Sequence, residues 1–108
     1  MSDPVKAIVR RLRRRCADWA EIELDHGTTE AWNSLLFDGG RHRIDLRLRG
    51  AAVATALAAL PAELDAADFT IPGHLIAELR LVHQEQGDGE ATVQLEALTI
   101  AADRAISV

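Results

Sequence analysis

The segment Arg41-His42-Arg43-Ile44-Asp45-Leu46-Arg47-Leu48-Arg49 constrains the fold more than any other part of this chain. Every even position is apolar or histidine and every odd one is charged, a two-residue period that sends the two sets to opposite faces of a β-strand. A helix of the same residues would spread charge around its whole surface. The even face must therefore meet a core, and the odd face water. The predicted partner is a strand over Glu30 to Phe37, joined through Asp38-Gly39-Gly40, whose glycines permit the positive φ of a tight turn. A two-residue loop directs Leu35 and Phe37 inward, whereas a three-residue loop directs Trp32, Ser34 and Leu36 inward. The first buries more apolar area and is preferred.

The remaining elements follow from the same kind of pattern. Asp3 caps a helix starting at Pro4, where the missing N–H costs nothing, and Val5, Ile8, Val9, Leu12 and Cys16 fall on one face. After Cys16 the period drops to two: Ala20, Ile22 and Leu24 alternate with Glu21, Glu23 and Asp25, a first strand ending at His26-Gly27. Its acidic face can lie near Arg41, Arg43, Arg47 and Arg49, with each opposite-sign pair worth about 0.2–1 kcal/mol. Residues 51–60 form a second helix with Val53, Leu57, Leu60 and Leu64 as its stripe, and Pro61 marks the end of its regular hydrogen bonding. A long hairpin pairs Leu75 to Glu85 with Glu90 to Ile100 around Gln86-Gly87-Asp88-Gly89. Setting Glu85 opposite Ala91 places Arg80 against Glu96, and places Ala77, Leu79, Leu81 and His83 against Thr99, Ala97, Leu95 and Val93. Phe69-Thr70-Ile71 is a possible start of the ribbon before a kink at Pro72-Gly73, and residues 101–108 read as a frayed end. The order α-β-β-β-α-β-β gives an α+β two-layer sandwich: a mainly antiparallel sheet of about five strands with two helices on one face, in a single domain over residues 1–108.

Charge and composition narrow the function classes. The chain has 108 residues and a net charge of −5. Residues 1–15 hold six cations against one acid, whereas the remainder holds six cations against sixteen acids. An acidic body repels phosphate, so nucleic acid is not expected as a partner. The longest uncharged run, Gly50 to Ala62, is too short and too rich in alanine to span a bilayer, and no secretory signal opens the sequence. The lone Cys16 has no intramolecular partner, which points to a reducing cytoplasm. Eleven arginines against one lysine, with nineteen alanines, suit a bacterial source.

The reactive side chains form no recognisable motif. Cysteine and histidine spacing excludes a structural zinc site, and neither Gly39-Gly40 nor Gly87-Asp88-Gly89 precedes a helix as a phosphate loop requires. No cofactor is implied. Cys16, on the apolar face of the first helix, reads as a buried inert thiol although arginines precede it. His42 and His83 both occupy inward positions and are the candidates for acid–base chemistry, against the plainer reading of satisfied structural histidines. His74, at the expected backbone irregularity, is the preferred binding residue, with Arg43 and Arg47 able to hold an anion. His26 adjoins a turn and is solvated. The Arg10 to Arg15 run reads as a solvated face and, failing that, as a protein-binding surface.

Two functions fit. The first is a non-enzymatic homodimeric binding or assembly module, adaptor-like or chaperone-like, with a possible protein client. Its contact is either the uncharged helix around Val53 to Leu60 or the overlong 75–100 hairpin, since both seek cover. The element order resembles that of small acidic bacterial secretion chaperones, which are dimers that hold extended clients; the likeness is of order alone, and the C-terminal helix of that family has no counterpart in residues 101–108. The alternative is a small lyase, isomerase or hydratase with His42 or His83 as acid–base group and Arg43 or Arg47 holding the substrate. Pterin dehydratases have similar size and layering, but their closely spaced histidines are absent.

Overall fold

A computed structural model describes residues 3–65, 71 and 73–101. The chain runs α1 (Pro4–Arg15), β1 (Glu21–Asn33), β2 (Asp38–Arg49), α2 (Val53–Glu63), β3 (His74–Gly87) and β4 (Glu90–Ala101). The strands form one antiparallel sheet in the order β1-β2-β4-β3. The architecture is the expected α+β class, with four strands where about five were predicted and one strand fewer between the helices. That lost strand also removes the order on which the likeness to secretion chaperones rested.

The reason for the difference lies in three glycines. The first two predicted strands are a single strand, β1, which continues through Gly27 after a bulge between Leu24 and His26. Gly27 is small because α1 lies on it: a Cβ there would stand 3.1 Å from Val5 Cγ1. Nor do Gly39 and Gly40 turn the chain; they sit inside β2, opposite Trp32 and Ala31, without positive φ. The turn falls earlier, at Ser34 to Phe37, closed by Ser34 N–H donating to the Phe37 carbonyl (2.8 Å) and Phe37 N–H donating to Ser34 Oγ (3.1 Å). Neither expected register therefore applies. Leu35 and Phe37 do not turn inward: Leu35 is 100% exposed, Leu36 68% and Phe37 40%.

In α1, β2, α2 and β4 the residues placed inward by period are buried. The Asp3 carboxylate accepts from the N–H of Val5 (2.9 Å) and caps α1, and Val5, Ile8, Val9, Leu12 and Cys16 are buried. His42, Ile44, Leu46 and Leu48 are buried along β2, and they face the same core as Ala91, Val93, Leu95 and Ala97 of β4 together with Val53, Ala56, Leu57, Leu60 and Leu64 from α2. An Arg15–Glu63 ion pair ties the two helices together. α2 runs past Pro61 to Glu63, further than expected. Proline removes only its own donation, and the next turn is still anchored by the buried Leu64, whose N–H bonds the Leu60 carbonyl.

The hairpin register is right at its centre and shifts at both ends. Arg80 faces Glu96, Leu79 faces Ala97 and Leu81 faces Leu95, as expected. Bulges between Ile76 and Glu78 and between Leu81 and His83 then displace each end by one residue. Beyond the second bulge Glu85 meets Thr92 and His83 meets Gln94, and Asp88-Gly89 alone forms the loop, with Gly89 at φ +65°. The long arm finds its neighbour within its own chain, because β4 pairs with β2 from Gly39↔Ile100 to Arg49↔Glu90. Ile71 makes a single bridge to His74. Phe69, Thr70 and residues 102–108 lie outside the described residues.

Candidate binding surface

His42 is the best-defined polar centre in the core. It is 2% exposed. Its Nε2 lies 2.8 Å from Thr99 Oγ1 and its Nδ1 lies 2.9 Å from Thr29 Oγ1. The Thr99 hydroxyl points toward the Gly40 carbonyl (3.5 Å), so Nε2–H donates to Thr99 while Nδ1 accepts from Thr29, a neutral tautomer assigned from the network. Gly40 makes room for this ring: a Cβ there would come within 2.8 Å of His42 Cε1. Burial lowers the His42 pKa; the Asp3 carboxylate opposes the shift, and His74 adds to it. Both nitrogens are engaged, so the ring is a satisfied structural group and has no free position for a substrate proton.

The other predicted site residues are dispersed. His83 does not point inward. The bulge beside Leu81 turns it over, leaving the side chain 61% exposed next to Glu85 (Nε2 to Oε1 3.3 Å). His42 lies on the inner face of the sheet and His83 on the outer, so the two side chains do not line one cavity. His74 opens β3, half-buried, close enough to His42 to influence it. Arg43 and Arg47 stand on the opposite, outer face of the sheet, as the alternation demands. Arg47 Nε lies 3.4 Å from both Asp25 and Glu90, and Arg43 lies 3.7 Å from Glu96. Arg49 reaches Glu23 and Glu90, while Arg80 reaches Glu78 and Glu96. The acidic and basic faces foreseen for β1 and β2 thus meet. These exposed contacts are worth at most about 1 kcal/mol each, and they occupy the arginines that would otherwise receive an anion.

At one end of the sheet the outer face changes character. Trp32, Gly39, Ile100 and Leu75 are successive partners across all four strands, so they form one row on the outer face. The Trp32 indole lies over Gly39, where a Cβ would come within 2.5 Å of Cζ2. Leu98 belongs to the row behind, opposite Arg41. Leu75 is 57% exposed, and the Leu35-Leu36-Phe37 loop projects at the same end. Sequence reasoning missed this surface because it used Leu35 and Phe37 as core. The signal available was three consecutive large apolar residues after a serine able to close a turn without glycine. No family model, curated protein or solved structure matches the chain, and no helix among the described residues is long and apolar enough to cross a membrane.

Proposed function

We propose that this protein is a non-enzymatic binding or assembly module working as a homodimer, and that two copies meet through the apolar end of the sheet. The observation that carries this reading is the exposure of Leu35, Leu36, Phe37 and Leu75 together at one end. Counting about 200 Å² for a fully exposed large apolar side chain, these four present on the order of 500 Å². That sits at the upper range of the largest patch on an ordinary monomer, and Trp32, Leu98 and Ile100 bring the surface toward the roughly 800 Å² each partner gives to a standard interface.

The rim suits a two-fold contact. Glu30 and Arg41 are cross-strand partners, yet among the described residues neither takes part in an ion pair. In an isologous dimer Arg41 of one copy can face Glu30 of the other, which uses both signs on one patch. The other contacts suggested by sequence are weaker. α2 exposes Ala54, Thr55, Ala58, Pro61 and Ala62, small side chains that tolerate water. The β3 edge is broken by two bulges, a device that discourages strand-to-strand pairing. Sedimentation equilibrium at tens of micromolar tests the proposal. A dimer that becomes a folded monomer on Leu35→Asp with Leu75→Asp supports it; a wild-type monomer overturns it.

A further inference from the structure

Arg15, Arg43, Arg47, Arg49 and Arg80 lie against carboxylates, but one face of α1 carries cations that do not. Lys6, Arg10, Arg13 and Arg14 are all exposed. At 100° per residue they fall within about a 100° arc, away from the buried Val5, Ile8, Val9 and Leu12. Arg13 Nε donates to the Ile22 carbonyl (2.9 Å). Lys6, Arg10 and Arg14, at intervals of four residues, have no ion-pair partner among the described residues, although the chain carries 17 acids against 12 bases. Their neighbours Arg11 and Arg15 lie to the side, and Arg15 pairs with Glu63 of α2.

Helix stability does not account for this stripe. Cations in the last turn suit the helix dipole, but Lys6 sits in the first turn, where it opposes the dipole, and the carboxylate at that end, Asp3, is engaged in capping the Val5 and Lys6 N–H groups. Lys6 with Arg10, and Arg10 with Arg14, are like-charge pairs at i, i+4, which also weakens a helix. Arg14, in the last turn, gains from the dipole, but Lys6 and both i, i+4 pairs do not, so helix stability leaves most of the line unexplained. A carboxylate opposite each position would offset the repulsion along it.

We infer that the Lys6–Arg10–Arg14 face of α1 docks an acidic helical segment of a partner protein, with carboxylates repeating every four residues. The inference assigns partner chemistry to the binding module proposed above and rests on that reading only in calling the protein a binding module; the surface lies on a different element from the apolar end. Four residues of helix rise about 6 Å, so carboxylates at the same interval on a second helix match all three cations at once, and an antiparallel approach also aligns the two dipoles favourably. The charge distribution favours a narrow acidic segment over an extended polyanion. Residues 16–108 carry ten more acids than bases, and their field is screened only beyond about 8 Å at physiological salt, so a duplex or a bilayer broader than the helix meets repulsion on either side. The apolar residues of α1 are buried against the sheet and cannot enter lipid.

The experiment uses the full chain and a fluorescein-labelled, alanine-based 13-residue peptide with glutamate at every fourth position. A glutamine version, a single-stranded DNA oligonucleotide and vesicles containing phosphatidylserine are titrated in parallel. The expected result is binding of the glutamate peptide at 50 mM NaCl. Glutamine substitution, Arg10→Gln with Arg14→Gln, or 500 mM NaCl should each weaken it about tenfold or more. Circular dichroism and sedimentation on the same samples should show an unchanged fold and unchanged self-association, so failure of this docking and failure of the dimer are read separately. Equal affinity for the two peptides, insensitivity to the arginine substitutions, or tighter Arg10- and Arg14-dependent binding of DNA or vesicles would each overturn the inference.

Discussion

Replacing Gly39 with alanine should be among the most damaging single-methyl additions in this protein. The new Cβ would collide with the Thr99 carbonyl oxygen and stand 2.5 and 2.6 Å from Cζ2 and Cε2 of Trp32. The carbonyl belongs to the neighbouring strand β4 and cannot rotate away without disturbing the ladder; the indole can move only by leaving the row it shares with Ile100 and Leu75. Overpacking of this kind costs about 1–3 kcal/mol, and opposition from backbone places Gly39→Ala near the upper figure. For a domain of this size that is a fall in Tm of about 10–20 °C. Gly87→Ala provides the contrast. Its nearest atom would be the Glu90 carbonyl oxygen at 3.8 Å and its φ is not positive, so reduced freedom of the unfolded chain should stabilise by about 0.4–1 kcal/mol. Trp32→Ala in the Gly39→Ala background should recover only part of the loss, since the carbonyl remains. Urea unfolding followed by circular dichroism, at one fixed protein concentration, measures all three variants. If Gly39→Ala and Gly87→Ala prove equally stable, Trp32 does not lie over Gly39 and the outer-face row is wrong.

The buried histidine and cysteine yield two further expectations. Because burial holds the folded His42 pKa below its ordinary value, the unfolded chain takes up a proton near pH 6.5 while the folded one stays neutral; stability present above that pH should decline as pH falls below 6.5 and level off beneath the folded value. His42→Leu should flatten this component while costing about 1–3 kcal/mol for the buried Thr99 oxygen that loses its donor, the exposed Thr29 hydroxyl turning to water, as seen by unfolding from pH 7.5 to 5. Cys16 is fully buried, with its thiol pKa pushed up first by burial and then by Glu63, against Arg15. It should react with a thiol reagent only as fast as the protein opens, and a native rate close to that of a free thiol would contradict its placement in the core.

Legibility in the sequence tracked the number of constraints acting on each residue. His42 to Leu48 read correctly because slipping the strand by one position would bury arginine. Asp3-Pro4 likewise combined a cap, a fixed φ and a helical stripe. The glycines misled because glycine has several causes that look alike in one dimension: Gly27 yields to Val5, Gly39 to Trp32 and Gly40 to His42, all long-range contacts. Bulges were hidden for a similar reason. The extra residue near Val82 that turns His83 outward carries no composition signal, so the candidate acid–base pair rested on an assumption of unbroken pleating. The apolar end was then masked by the misplaced turn. Arg43 and Arg47 were placed on the correct face, but their carboxylate neighbours depend on strand order, which the β2–β4 pairing decides.

The self-association account is tested most directly by a distance between copies. Spin labels at Asn33→Cys, in a Cys16→Ala background, flank the apolar end, whereas labels at Asp88→Cys mark the opposite end of strands that span about 40 Å. Dipolar spectroscopy should give a separation of about 20–30 Å between the Asn33 labels of two protomers, with the Asp88 labels too distant to couple. No coupling at Asn33, or a short distance between Asp88 labels, would contradict joining through the tip that carries Leu35 and Leu75.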